Sequence, residues 1–203
     1  MNDDLTFRWV MVAAFSVLLP FGLYHRIRSQ SSGESLDRRQ EGVFILSTLR
    51  PAALVLWACV IAYLIEPRTM AWSSVSLPTE VRWGGAVIII GAVGLFAWTL
   101  RSLGPNLTDT VVTRRAATLV MTGPYRWVRH PFYDSMTLLI LAIALLAANW
   151  FMLVAGIVVV ALIVIRTRIE EQKLVDRFGD GYRRYMSGTG RFIPKLAGPI
   201  APS

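Results

Sequence analysis

Residues 136–165 read MTLLILAIALLAANWFMLVAGIVVVALIVI, an apolar run whose middle carries Asn149 and Trp150. As a single helix, this run of 30 residues would be about 45 Å long, well beyond the roughly 30 Å hydrocarbon core of a bilayer. We therefore predict two membrane helices that meet in a tight turn near residues 148–150. The alternative is one long, tilted helix that projects into the aqueous phase.

Three further apolar runs precede this one, at residues 7–24, 43–65 and 83–100. Each is close to or above the roughly 20 residues that a helix needs to cross a bilayer. The composition agrees, because 54% of residues are hydrophobic and 17% are charged, against about 25% charged in soluble domains. We predict an all-α, polytopic membrane helix bundle of about five transmembrane helices, with the last two as a hairpin.

The distribution of basic residues predicts the orientation of these helices. Lys and Arg are concentrated in residues 25–42, 101–134 and 166–203, whereas the opposite side carries only Arg8, Arg68 and Arg82. The positive-inside rule then predicts an external N-terminus and a cytoplasmic C-terminus. We expect the membrane to be a bacterial inner membrane. We interpret the net charge of +8 as a sign of membrane topology and expect no nucleic-acid partner. Because no basic region precedes the first span, we expect it to be retained.

Residues 123–133, GPYRWVRHPFY, are the first candidate for a functional segment. Pro131 suits the first turn of a helix and biases His130 away from helical torsions, so His130 is predicted at a helix N-terminus. There its ring, the backbone N–H groups and Arg129 can receive a carboxylate or a phosphate. For Trp127 and Arg126, an interfacial belt that anchors the helix end is an equally good interpretation.

The second candidate segment continues the last span into the cytoplasm. Arg166, Glu170, Leu174 and Phe178 recur every four residues and share one helical face, which Gly179 then terminates. A surface ion pair between Arg166 and Glu170 would contribute only about 0.3 to 0.5 kcal/mol. Both residues leave the membrane on the same side as His130, so we predict that the two segments converge on the cytoplasmic side.

Several other kinds of site are not indicated. Cys59 is the single cysteine, so one chain cannot form a disulfide, and His25 and His130 lack the spacing of metal ligands. We therefore predict no metal site. No G-x-G-x-x-G motif follows a strand pattern, and nothing near His130 assembles a Ser-His-Asp triad.

The two segments together resemble the isoprenylcysteine carboxyl methyltransferase-like and phospholipid methyltransferase family of integral membrane enzymes. The family pattern begins with Gly-x-Tyr and Arg-His-Pro-x-Tyr, met here by Gly123, Tyr125 and residues 129–133. After a hydrophobic hairpin, Glu-Glu-x-x-Leu-x-x-x-Phe-Gly-x-x-Tyr-x-x-Tyr is met by residues 170–185. The resemblance covers residues 103–194. It implies N-terminal membrane spans at 1–102 and a methyltransferase core at 103–203.

This resemblance implies S-adenosyl-L-methionine as the cofactor, bound in a cytoplasmic C-terminal cofactor-binding region. The residues assigned to cofactor binding are Ala117, Thr118, Leu119, Val120, Gly123, Tyr125, Arg129, His130, Pro131, Phe132, Tyr133, Glu170 and Glu171. Relatives often carry His where this chain has Ala117, which removes one expected side-chain contact. Physical chemistry agrees with these roles, since His130 or the helix N-terminus suits the cofactor carboxylate, Glu170 its ribose hydroxyls, and tyrosine faces its sulfonium.

The resemblance also implies that Arg166 faces the methyl acceptor, where it can bind a carboxylate through two hydrogen bonds. Arg166 and Glu170 are the predicted catalytic residues. An ionised carboxylate acceptor needs no general base, whereas an amine would, and Glu170 or Glu171 is then the candidate. Arg50, beside Pro51 in the second span, must face the bundle interior or pair with another group, and we predict that it contacts the acceptor.

The predicted function is membrane-bound methyl transfer to a lipid-like or prenylated acceptor, most like protein-S-isoprenylcysteine carboxyl O-methylation, with membrane lipids as further partners. Phospholipid N-methylation and small-thiol S-methylation remain open. An NADPH-dependent membrane reductase is an alternative, because sterol reductases share a related C-terminal architecture. A non-catalytic scaffold whose basic loops contact anionic headgroups is another alternative.

Overall fold

The computed structural model describes residues 2–30, 45–104 and 118–195, and helices make up nearly all of their regular structure. The six helices are α1 (Asn2–Gln30), α2 (Arg50–Ile65), α3 (Thr79–Leu103), α4 (Pro131–Ala147), α5 (Trp150–Phe178) and α6 (Asp180–Gly188). A short π-helical turn at Ile45–Leu49 leads into α2. Two 3₁₀ turns, at Pro67–Ser73 and Gly123–Arg126, precede α3 and α4 respectively.

The helical hairpin is confirmed, and the single long helix is excluded. Helix α4 ends where Ala148 adopts the left-handed conformation, with φ 46°, and α5 begins two residues later. Asn149 caps α5, because its side-chain oxygen accepts a 3.0 Å hydrogen bond from the backbone N–H of Met152. Gly179, with φ 56°, ends α5 as predicted and allows the chain to turn into α6.

Five apolar helices build the membrane part of the bundle, as expected. Four of them are long and apolar enough to cross a bilayer: Asp4–Arg28, Ser47–Ile65, Thr79–Leu103 and Trp150–Phe178. The fifth, α4, is a shorter apolar helix of 17 residues. Large apolar side chains such as Leu54, Val87 and Ile90 are exposed on the outer surface. Apolar side chains on the outer surface of a helix bundle are expected where that surface faces lipid.

Helix α4 packs closely against α3 and forms the centre of the bundle. A Cβ atom at Gly85 would lie 3.0 Å from Cβ of Leu145 and 3.2 Å from the carbonyl oxygen of Ala142. Small residues therefore let the two backbones approach, as is common between membrane helices. Helix α1 packs on α3 and α4, and α2 packs on α5.

Polar contacts close the end of the bundle at which α4 terminates. The buried Arg82 guanidinium donates to the carbonyl oxygen of Leu146 at 2.7 and 3.2 Å and to Asp4 at 2.5 Å. The Asn149 amide donates to Ser73 Oγ at 2.8 Å. These bonds satisfy backbone groups at the C-terminus of α4 and tie α1 and α3 to the hairpin. The opposite end, where α4 begins, contains the cavity described next.

Candidate functional site

A cavity of about 610 Å³ lies where α4 begins and where α5 continues toward α6. All six helices contribute to its walls, together with residues 118–120 and the turn that contains Tyr125. One part of the wall is polar and is built mainly by the two motif segments. The other part is apolar and is built mainly by α1 and α3.

Arg166 and Glu170 lie one helical turn apart on α5 and both face the cavity, as do Leu174 and Phe178 further along. The four-residue spacing thus correctly predicted that these side chains share one helical face, and this face lines the cavity. Glu170 accepts a 2.8 Å hydrogen bond from the phenol of Tyr133 on α4. The Nε of Arg166 is buried and has no hydrogen-bond partner within the described part of the chain. A buried donor without a partner is costly, which favours a ligand acceptor at this position.

The sequence before α4 positions the aromatic side chains of the site. Pro131 begins α4 and His130 is its N-cap residue, as predicted. The His130 ring stacks on Tyr133, with ring centroids 5.6 Å apart and planes inclined by 19°. Tyr125 is held from behind, because the Tyr185 hydroxyl of α6 donates to its carbonyl oxygen at 2.6 Å. Burial, together with the nearby Glu170 carboxylate, raises the pKa of Tyr125 well above its ordinary value, so it remains a neutral phenol.

Behind this polar wall, a buried charge network surrounds Glu171, whose side chain is 4% exposed. Its Oε1 lies 2.7 Å from Nε of Arg129 and 3.3 Å from Nε2 of His130, while Arg191 donates to Oε2. Arg129 also donates to carbonyl oxygens at the end of α6, including that of Met186 at 3.3 Å. Glu171 is therefore occupied by protein donors and does not line the cavity.

The segment after α6 returns to the motif before α4. The backbone N–H of Arg129 donates to the carbonyl oxygen of Gly190 at 2.9 Å, and that of His130 donates to the carbonyl of Arg191 at 3.2 Å. Sequence analysis missed this role of Arg191. No local pattern signals it, since Arg191 lies far from Glu171 along the chain and meets it only after α5 and α6 fold back.

The apolar wall of the cavity comes largely from one face of α1. The residues on this face, spaced three or four apart, are Phe15, Leu18, Leu19, Gly22, Leu23 and Arg26. Leu19 and Leu23 are 59% and 57% exposed although they line the cavity. Phe15 reaches Trp57 of α2, with ring centroids 5.5 Å apart. Among the described residues, the cavity is thus open toward the lipid-facing side at α1 and α2.

The structure brings most of the predicted site residues to this cavity. Those that line it are Thr118, Leu119, Val120, Tyr125, Arg129, His130, Phe132, Tyr133, Arg166 and Glu170. Gly123, Pro131 and Glu171 do not line it. Gly123 has φ 61°, and a Cβ atom there would collide with Ser102 and lie 3.2 Å from Nε1 of Trp98. Ala117 lies outside the described residues.

Arg50 occupies a different place from the cavity. It is the first residue of α2, its side chain is exposed, and it does not line the wall. Its predicted contact with the acceptor remains a prediction. Arg26 of α1 lines the cavity instead, which sequence analysis did not single out. Within the described ranges, no three His, Cys, Asp or Glu side chains cluster as metal ligands would.

Comparisons with known proteins give this site a family context. Residues 81–181, about half of the chain, match the family model of phospholipid methyltransferases. The uncharacterized protein YpbQ of Bacillus subtilis is 33% identical over 98 residues, which are 48% of this chain and 58% of that protein. The chain thus spans little more than half the length of this relative.

The fold is similar to that of the eukaryotic intramembrane Ras methyltransferase ICMT (isoprenylcysteine carboxyl methyltransferase). The TM-score is 0.53 at 18% sequence identity, and the match covers 94% of this chain and 70% of the other. At this identity the likeness is one of architecture, and it extends over α1 and α2 as well as the part that matches the family model. On the match of residues 81–181, the chain belongs to the phospholipid methyltransferase family, and its fold is similar to that of an intramembrane methyltransferase.

Proposed function

We propose that the chain transfers a methyl group from S-adenosyl-L-methionine to the polar end of a lipid-like acceptor. One observation carries this proposal: Arg166 and Glu170 face the same cavity whose apolar wall is exposed on the membrane side at Leu19 and Leu23. A cavity that combines fixed charges with a lipid-facing wall suits a reaction between a water-soluble donor and a membrane-bound acceptor.

The residues of the polar wall fit S-adenosyl-L-methionine. Glu170 offers carboxylate oxygens for ribose hydroxyls, and the faces of Tyr125 and Tyr133 can stabilise a sulfonium cation. At the N-terminus of α4, the backbone N–H groups of Tyr133 and Asp134 donate to the carbonyl oxygen of His130, so the N–H of Phe132 is the one assigned to the cofactor carboxylate. When bound, the cofactor supplies an electrophilic methyl group. We also assign Thr118, Leu119, Val120 and Phe132 to the binding of this cofactor.

Arg166 is the proposed acceptor-binding residue. Its buried Nε needs an acceptor, and a guanidinium binds a carboxylate through two parallel hydrogen bonds. The protein would then hold the acceptor oxygen in line with the methyl group and exclude water from the reacting pair. No proton transfer is required when the acceptor is an ionised carboxylate, as in isoprenylcysteine O-methylation.

Phospholipid N-methylation is the second candidate, favoured by the family model that matches residues 81–181. An amine acceptor must lose a proton, and Glu170 is then the general base, because it lines the cavity whereas Glu171 is enclosed by other side chains. For both reactions we propose an external N-terminus and a cytoplasmic cavity in a bacterial inner membrane, since the donor is soluble.

Titration of the purified protein with S-adenosyl-L-methionine and with S-adenosyl-L-homocysteine tests the donor. We expect saturable binding that Glu170→Gln weakens about ten- to a hundredfold, as loss of a charged hydrogen bond implies. Glu80→Gln is the matched control, because Glu80 is exposed at the start of α3 and lies outside the cavity wall. Folded protein that binds neither compound but binds NADPH would refute the proposal in favour of a reductase.

Methylation assays with two acceptors identify the reaction. A prenylcysteine carboxylate and phosphatidylethanolamine are each presented in detergent with labelled donor. Arg166→Lys should reduce turnover of the carboxylate strongly, since a lysine cannot form the two-pronged contact. Arg168→Lys, an exposed position on the same helix, should have no effect. Turnover of phosphatidylethanolamine alone would assign the protein to N-methylation.

A further inference from the structure

The His130 ring, which packs against Tyr133 and Phe192, also contacts the carboxylate of Glu171. Nε2 of His130 lies 3.3 Å from Oε1 of Glu171, and both side chains are buried. Glu171 also accepts from the guanidinium groups of Arg129 and Arg191. A carboxylate between two guanidinium groups is ionised and only accepts hydrogen bonds. The contact with His130 therefore requires the hydrogen on Nε2.

The second ring nitrogen, Nδ1, is then left as the available acceptor. In a neutral imidazole one nitrogen donates and the other accepts, so Nδ1 carries a lone pair when Nε2 carries the hydrogen. The His130 side chain makes no capping hydrogen bond at the start of α4. His130 lines the cavity whereas Glu171 does not. The edge that carries Nε2 thus faces the charge network, and Nδ1 is the nitrogen that a ligand can use.

We propose that Glu171 is a positioning residue that fixes His130 as the Nε2–H tautomer, so that His130 accepts a hydrogen bond from an N–H or O–H group of the cavity ligand. For the methyl donor of the proposed function, on which the identity of the ligand rests, this group is the α-ammonium. The role differs from our sequence-based expectation, in which His130 receives the carboxylate. The carboxylate is then left to the N-terminus of α4.

Arg191 completes this arrangement from the C-terminal segment. It orients Glu171 through Oε2, and its own carbonyl oxygen accepts the backbone N–H of His130 at 3.2 Å. The same residue therefore holds the His130 backbone directly and its ring indirectly. This makes Arg191 a second positioning residue, although it does not itself line the cavity.

The tautomer can be measured directly, because the chain has only two histidines. In the His25→Gln variant, His130 is the single remaining histidine, and the cavity is unchanged because His25 does not line it. In protein labelled with ¹⁵N-histidine and kept at alkaline pH without ligand, we expect a protonated Nε2 and an unprotonated Nδ1. A protonated Nδ1 would overturn the proposal. This arm does not involve the methyl donor, so its outcome is independent of whether the proposed function holds.

The second arm compares S-adenosyl-L-homocysteine with its deaminated analogue, which lacks the α-ammonium. Wild-type protein should bind the parent compound about tenfold more tightly. Arg191→Ala and Glu171→Gln should reduce this preference, and Arg191→Lys should restore much of it. Arg183→Ala, in an exposed ion pair with Asp180, is the matched control and should retain the preference.

Two results of this binding comparison distinguish failure of the positioning role from failure of the proposed function. An unchanged preference for the ammonium compound in folded Arg191→Ala and Glu171→Gln would overturn the positioning role. Absence of binding to either compound in wild-type protein would overturn the proposed function, while the tautomer measured in the ligand-free protein still decides the role of Glu171. Arg191 is one-third exposed whereas Glu171 is buried, so a substitution at Arg191 is better tolerated by the fold. Arg191→Ala therefore tests the positioning role if Glu171→Gln does not fold.

Discussion

The phenol of Tyr133 donates a 2.8 Å hydrogen bond to Oε2 of Glu170, and this contact joins the first turn of α4 to the C-terminal half of α5. These two residues lie on opposite sides of the helical hairpin and both line the cavity. The bond leaves Glu170 with further lone pairs for a ligand, because a carboxylate can accept about four hydrogen bonds. Tyr133 therefore orients the carboxylate without occupying it.

Tyr133→Phe should weaken binding of S-adenosyl-L-homocysteine about tenfold, because Glu170 loses the group that orients it. A hydrogen bond to a charged group contributes about 1.5 to 3 kcal/mol, so a similar loss in stability is the upper limit. Calorimetric titration of both proteins measures the effect. Tyr24→Phe, an exposed ring on α1, is the control. Equal affinities for the two variants would show that the orientation of Glu170 does not matter for binding.

Gly22→Leu should change the preference for acceptor chain length. A Cβ atom at Gly22 would already lie 3.4 Å from Cζ of Phe96, so a leucine side chain must extend into the apolar part of the cavity. We expect turnover of long-chain acceptors to fall about tenfold while short-chain acceptors are affected less. Gly94→Leu is the control, because nothing lies within 4 Å of its Cβ position. An equal reduction of turnover for acceptors of all chain lengths would show that the acceptor chain does not bind in the apolar part of the cavity near Gly22.

Two adjacent alanines in the hairpin should respond oppositely to glycine. Ala148 has φ 46°, where an L-residue is strained, whereas Ala147 ends a regular helix. Both are buried and lose the same methyl group. Ala148→Gly should therefore be more stable than Ala147→Gly by about 1 to 2 kcal/mol, since glycine relieves strain at one position and weakens helix at the other. Equilibrium unfolding in detergent measures the difference, and equal stabilities would contradict it.

Alkaline pH should destabilise the fold through its buried phenols. Burial raises the pKa of Tyr125 well above its ordinary value of 10, with a further contribution from Glu170. The folded protein then retains this proton after the unfolded chain has lost it. The free energy of unfolding is unaffected below about pH 10 and decreases above it, by about 1.4 kcal/mol per pH unit for each such phenol.

Tyr125→Phe tests this dependence. The variant should lose about 1.4 kcal/mol less per pH unit than wild-type protein in unfolding experiments above pH 10. Tyr182 and Tyr185 should act in the same direction, because burial raises the pKa of each phenol. An identical pH dependence in wild-type and variant protein would show that Tyr125 is solvated in the folded state.

Local sequence was sufficient for the elements that carry the site. Asn149 marked the turn of the hairpin, because it is a polar cap residue in the middle of an apolar run of 30 residues, which is too long for one membrane span. The four-residue spacing of Arg166, Glu170, Leu174 and Phe178 predicted their common face, which follows from helical geometry alone. Pro131 similarly placed His130 at the start of α4.

Sequence reasoning was less successful for roles that depend on neighbours distant in the chain. Glu170 and Glu171 are adjacent and chemically identical, yet one faces the cavity and the other is enclosed by Arg129, His130 and Arg191. Their separation by about 100° around the helix decides this difference. The packing of α4 and of the segment after α6 against α5 decides which of the two side chains faces the cavity and which faces the charge network.

The part played by α1 also required the folded bundle. Apolar periodicity and length are properties of one segment, and they identified the five membrane helices and the termini of the hairpin. Which face of α1 lines the cavity depends on how α1 packs on α3 and α4, with Gly22 close to Phe96. Arg26, one turn after Gly22 on α1, lies on the cavity wall, whereas Arg50 at the start of α2 does not. The sequence of an apolar helix does not distinguish its lipid-facing side from its core-facing side, because lipid and protein core favour the same side chains.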